Sequence, residues 1–170
     1  MNMELCIGCA GLFPRKEGDT HRYLESSPGC AEACGRLFAQ HYEHMDIYGD
    51  VYRLANDAYA VQHPGRPSRQ TINSAAIHLI RLCLTIEQGL PAKYANDAVL
   101  AAGQRKEDYW WLKPPVLKGS ITVADFVEAM PPEEHRKLLR RWAGSAWEAW
   151  AEHHDTIRQW LPAKWKRHAG

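Results

Sequence analysis

The feature that most constrains this chain is the run Cys6-Ile7-Gly8-Cys9, followed at once by Ala10-Gly11. Such a stretch cannot form the interior of a helix and reads as a tight knuckle turn. Two thiolates on one knuckle reach two corners of a tetrahedron about 2.3 Å from a zinc ion. The whole of 1–29 is rich in glycine, proline and polar turn formers and poor in apolar periodicity. It is expected to be a zinc-knuckle-like segment ahead of a helical remainder, 30–170, packed as one domain. A metal there would contribute on the order of 10 kcal/mol to ordering so weakly apolar a segment.

A lone C-x2-C is half a site, and the candidates for the other half are His21, Cys30 and Cys34. One set is Cys6, Cys9, His21 and Cys30; the other is Cys6, Cys9, Cys30 and Cys34, whose C-x3-C pair sits one helical turn apart. A bare turn or a redox pair are the alternatives. A thioredoxin-like pair, however, needs a helix start after a strand, and that context is missing. Five cysteines, an odd number, and a start without a basic and apolar leader fit a cytoplasmic metal-binding chain better than a disulfide framework. Cys83, on an apolar helical face, reads as core.

The remainder predicts a mainly α fold, an irregular helical bundle. In 170 residues, 45% of them hydrophobic, there is enough apolar side chain for one core. A net charge of +1 offers no case for a nucleic-acid partner, and no apolar run is long enough to span a membrane. That leaves an unidentified small molecule or protein as partner. Ser26-Ser27-Pro28-Gly29 is a helix entry, after which Cys30, Cys34, Leu37, Phe38 and His41 share one face. A second helix over Asp50–Gln62 ends at His63-Pro64. A third, capped by Ser68, runs from Arg69 to Gln88 and closes at Gly89. A weaker helix lies within 90–103, a loop spans 104–120, and Thr122 caps a short helix to Met130. Pro131-Pro132 then starts the longest helix, to Leu161, with Leu139, Trp142, Ala146, Trp150, His153, Ile157 and Trp160 inward.

Histidines on several helices can converge on a metal in a bundle core. Asp57, His63, His78 and His154 are the candidates for such a second metal or catalytic site, with hydrogen-bonded core residues as the alternative. His41, His44, His135 and His168 read as solvated. Arg22, Tyr59, Gln62, Arg69 and Gln70 are candidate ligand-binding residues. Arg22 can offer a fork of donors to an anion, and the helix start after Pro67 favours one.

Cys6-x-x-Cys9-Ala10, Thr20-His21-Arg22-Tyr23, Ser26-Ser27-Pro28-Gly29-Cys30 and Asp57-Ala58-Tyr59-Ala60-Val61-Gln62-His63-Pro64-Gly65 together resemble a bacterial family known only as domain of unknown function 5946. Pro67-Ser68-Arg69-Gln70, His78-Leu79 and the Trp-rich tail extend the likeness over nearly the whole chain. It implies that Cys6, Cys9, His21, Cys30, Asp57, Tyr59, Gln62, His63, Arg69, Gln70 and His78 occupy motif positions. Cys34 departs from the pattern, where an aromatic residue is expected, and no activity comes with the resemblance. His153-His154-Asp155-Thr156-Ile157-Arg158 and His78-Leu79 are also similar to DinB-like metalloprotein bundles, which implies a divalent metal held by three histidines. Two functions follow as expectations. One is a metal-dependent hydrolase or transferase with a His-lined pocket. The other is a non-catalytic binding or regulatory module with a purely structural zinc.

Overall fold

The N-terminal residues pair as a small antiparallel hairpin. Strands β1 (Met3–Leu5) and β2 (Leu12–Pro14) align Met3 with Pro14 and Leu5 with Leu12. The computed structural model describes residues 2–166; His168 lies outside them. Seven α-helices follow among the described residues: α1 (Pro28–Glu43), α2 (Met45–Tyr48), α3 (Tyr52–Gln62), α4 (Arg69–Leu82), α5 (Ala92–Gly103), α6 (Pro132–Ala149) and α7 (His154–Trp160). The fold is therefore mainly α, with the two-stranded hairpin as its sheet. No described helix is long and apolar enough to cross a membrane.

The helix starts follow local chemistry. Ser27 caps α1 by accepting the Cys30 amide, with Pro28 in the first turn. Ser68 caps α4 by accepting the Thr71 amide, while the Thr71 side chain returns to the Ser68 amide. Helix α3 is buried almost all round and packs on α4 and α6. Leu79, Ile80, Leu139, Trp142, Trp147 and Trp150 fill the space between them.

Several elements differ from the sequence expectation. The third helix widens into a π turn over Cys83–Glu87, and the segment after Thr122 holds a single 3₁₀ turn, Val123–Asp125. The last helix breaks at Trp150. The Trp150 indole donates to the Val61 carbonyl, and the His154 ring stacks on Trp147 and donates Nε2–H to the Trp147 carbonyl. These bonds take the place of a continuous backbone ladder, and a 3₁₀ turn, Ala151–His153, separates α6 from α7.

His41 and His135, read from sequence as solvated, are instead 1% and 0% exposed. Their Nε2 atoms are 2.9 Å apart across α1 and α6, with Tyr48 and Phe126 packed on the pair. The helical spacing puts His41 on the same face as Cys34 and Leu37, which is the buried one. His44 remains exposed.

Candidate metal centre

The hairpin carries the cysteine knuckle as its turn. Between β1 and β2 the Cys6 amide donates to the Gly11 carbonyl and the Ala10 amide to the Cys6 carbonyl, which curls the knuckle. That curl turns the Cys6 and Cys9 side chains inward, where they are 2% and 6% exposed. Helix α1 brings Cys30 from its first turn, and His63 follows the last residue of α3 at Pro64, each 0% exposed. One ligand atom from each of these four residues lies within 4.8 Å of all the others. All four cysteines of the region, Cys34 included, are free thiols.

Three of the six edges of this cluster have the lengths of a coordination tetrahedron, and all six lie within 4.8 Å. Zinc–sulfur bonds of about 2.3 Å and zinc–nitrogen bonds of about 2.0 Å imply S···N edges of roughly 3.5 Å and S···S edges of roughly 3.8 Å. Cys6 Sγ and Cys30 Sγ are each 3.5 Å from His63 Nε2, and Cys9 Sγ is 3.9 Å from Cys30 Sγ. The surrounding groups orient the donors. His63 Nδ1–H donates to the Tyr59 carbonyl at 2.6 Å, one helical turn back, so Nε2 turns its lone pair to the sulfurs. The Ser27 amide points at Cys6 Sγ from 3.4 Å, and the Tyr59 hydroxyl lies 3.7 Å from Cys30 Sγ.

Glycine is required at two close approaches. A Cβ on Gly8 would stand 2.2 Å from His63 Cδ2 and 2.4 Å from the Glu25 carbonyl oxygen. One on Gly29 would stand 2.2 Å from the Pro14 carbonyl oxygen, where the hairpin rests on α1.

Three buried thiols this close perturb one another. Hydrogen bonds from Cys30 and Cys9 hold Cys6 far below the ordinary thiol range, while the contact with Cys6 pushes Cys30 far up. A cation among them removes that conflict, since each sulfur can then be a thiolate. Burial pushes Cys34 up as well, and it stays outside the group.

The matching protein family is a family of unknown function, DUF5946, over residues 4–151. The chain belongs to this family. All four members of the cluster fall inside the matched span, which ends before α7. No curated protein and no solved structure matches the chain.

The other residues singled out from the sequence are dispersed. His21 does not join the cysteines: it is exposed, and its Nδ1 accepts the Tyr23 amide. His63 stands in its place, so the expected second set of Asp57, His63, His78 and His154 does not converge. Asp57 is 0% exposed and holds His78 Nδ1 at 2.7 Å and Arg81 Nε at 3.0 Å on one carboxylate oxygen. Its other oxygen has no partner among the described residues. His154 is committed to Trp147. Among the described residues, the Cys6–Cys9–Cys30–His63 cluster is the one group of three or more potential ligands.

Two of the candidate ligand-binding residues turn out to hold a loop. The Gln62 amide donates to the Lys118 and Ile121 carbonyls at 2.9 and 2.7 Å and accepts the Trp142 indole at 2.9 Å. Arg69 donates to the Lys106 and Tyr109 carbonyls. Tyr59 borders the cysteines, while Arg22 and Gln70 lie on the surface.

Proposed function

We propose that this protein is a zinc-binding helical module in which the metal is structural, clamping the N-terminal hairpin to the start of α1 and the end of α3. The observation that carries the reading is the convergence of Cys6, Cys9, Cys30 and His63 within 4.8 Å, with three of the edges at zinc-tetrahedron lengths and His63 held in the ligating tautomer by the Tyr59 carbonyl. Three cysteines and a histidine are a donor set for zinc rather than for calcium or magnesium. Four protein ligands close the coordination sphere, whereas metal hydrolysis needs a position for water or substrate. Complete burial of Cys30 and His63 points the same way. This favours the binding module over the hydrolase or transferase.

Protein purified without added metal should carry one zinc per chain by elemental analysis. His63→Ala and Cys30→Ala should lose it, and His21→Ala should keep it. Metal-free wild-type protein, or loss of zinc in His21→Ala with retention in His63→Ala, would overturn the ligand set.

A further inference from the structure

The sulfurs of the metal centre can do a second kind of chemistry. A thiolate is both a metal ligand and a nucleophile, and peroxides oxidise it. Among the four ligands Cys9 is the least buried, 6% exposed against 2% for Cys6 and 0% for Cys30 and His63. It closes the knuckle, and Ala10 beside it has a φ of 60°, the one non-glycine residue with positive φ among the described residues. Side chains with a Cβ rarely adopt that conformation, so the knuckle can relax once an ion lets go of it.

The geometry also selects the partner. Cys9 Sγ is 3.9 Å from Cys30 Sγ, across the gap between the hairpin and α1. A disulfide draws two sulfurs to about 2.05 Å, and the relaxing knuckle supplies the movement. Cys34 is the other thiol on α1, four residues beyond Cys30, and both are free. Helical neighbours at that spacing have Cβ atoms about 5–6 Å apart, whereas a disulfide needs about 3.5–4.5 Å. Cys30 is therefore matched to the knuckle and not to its own helix. His63, the ligand from the end of α3, has no sulfur to offer.

We propose that the centre is a reversible redox switch, in which hydrogen peroxide joins Cys9 to Cys30 as a disulfide and zinc is expelled. The switch rests on the zinc reading and deepens it, since it concerns the same four residues. The Cys9 thiolate attacks the peroxide: an S–O bond forms, the O–O bond breaks, and the departing hydroxide is protonated to water. The Cys30 thiolate then attacks the Cys9 sulfur: an S–S bond forms, the S–O bond breaks, and a second hydroxide is protonated to water. The two sulfurs give up two electrons, the peroxide takes them, and solvent supplies two protons. The two states hold different elements together. Zinc joins the hairpin, the start of α1 and the end of α3. The disulfide keeps the hairpin on α1 and releases Cys6 and His63.

The test is addition of hydrogen peroxide to the zinc-loaded protein, with zinc release followed by a chromogenic chelator and disulfides mapped by mass spectrometry. Zinc and a disulfide should appear together, one of each per chain. Tryptic peptides 1–15 and 23–36 should be joined, and cleavage after Glu32 should remove Cys34 from the joined pair. Fragment ions of 1–15 should place the bond on Cys9. Dithiothreitol and zinc should restore the starting state, and Cys34→Ser should alter neither the release nor the bond. After limited digestion and a non-reducing gel, the hairpin should stay with α1 in oxidised protein and come free in chelated, reduced protein. Zinc lost to sulfonic acids without a disulfide overturns the switch. A Cys6–Cys9 bond, which would untie the hairpin from α1, overturns the pairing. Zinc kept under peroxide overturns the switch alone, whereas a chain without zinc before peroxide overturns the metal reading and the switch with it.

Discussion

At the scale of single residues, the cluster shows what spacing can and cannot reveal. Cys6, Cys9 and Cys30 are legible because a knuckle and a following helix start have short reach. His63 is not, because nothing within a few dozen residues shows that the end of α3 returns to the hairpin. His21 is nearer in sequence and shares the resemblance, yet it faces solvent. In the folded chain Gly8 marks the approach, because its missing side chain makes room for the His63 ring. Gly8→Ala is therefore expected to drive a methyl into that ring and the Glu25 carbonyl, where backbone cannot yield cheaply. It should lower zinc retention and the thermal midpoint together, by more than the ~1 kcal/mol of an average substitution. Gln62 carries an equally specific burden. Gln62→Leu would strand the Trp142 indole and two loop carbonyls, and urea denaturation should show a loss on the order of 2–4 kcal/mol.

At the scale of elements, helices with a clear cap and stop were legible, and departures came from tertiary contacts. Ser68 and Ser27 announce α4 and α1 in sequence. The break at Trp150 does not announce itself, since Ala151, Glu152 and His153 are unremarkable in a helix. It depends on Trp147 and Trp150 finding partners on distant elements. The pairing of α1 with α6 through His41 and His135 was hidden for the same reason. Burial first, and the neighbouring His135 second, depress His41 to about 4, and burial depresses His135 as well. The unfolded chain takes up these protons near the ordinary imidazole value of 6.5. Between the two values the unfolded state holds more protons, so this stability is complete above 6.5 and drains away as pH falls towards 4. A loss on the order of 2 kcal/mol is expected over that window. Urea midpoints at neutral and mildly acidic pH should show it, and His41→Leu should flatten it at constant zinc content.

At the scale of the whole molecule, an ion in the cluster closes the chain between residues 6 and 63, and so ties the least apolar segment to the most buried helix. Chelation should leave much of the helical signal in far-UV circular dichroism and release 2–27 to proteolysis, with a lower thermal midpoint. An unchanged digestion pattern after metal removal would contradict the clamp. Gln62 and His63 are chain neighbours with opposite duties, one grasping Lys118 and Ile121 and the other facing the sulfurs. The Lys118 ammonium, in turn, donates to the Gly8 carbonyl on the knuckle. A single peptide unit thus wires the cysteine cluster to a loop more than fifty residues downstream. Amide hydrogen exchange around 116–121 should quicken when the metal leaves, making that loop a remote gauge of occupancy.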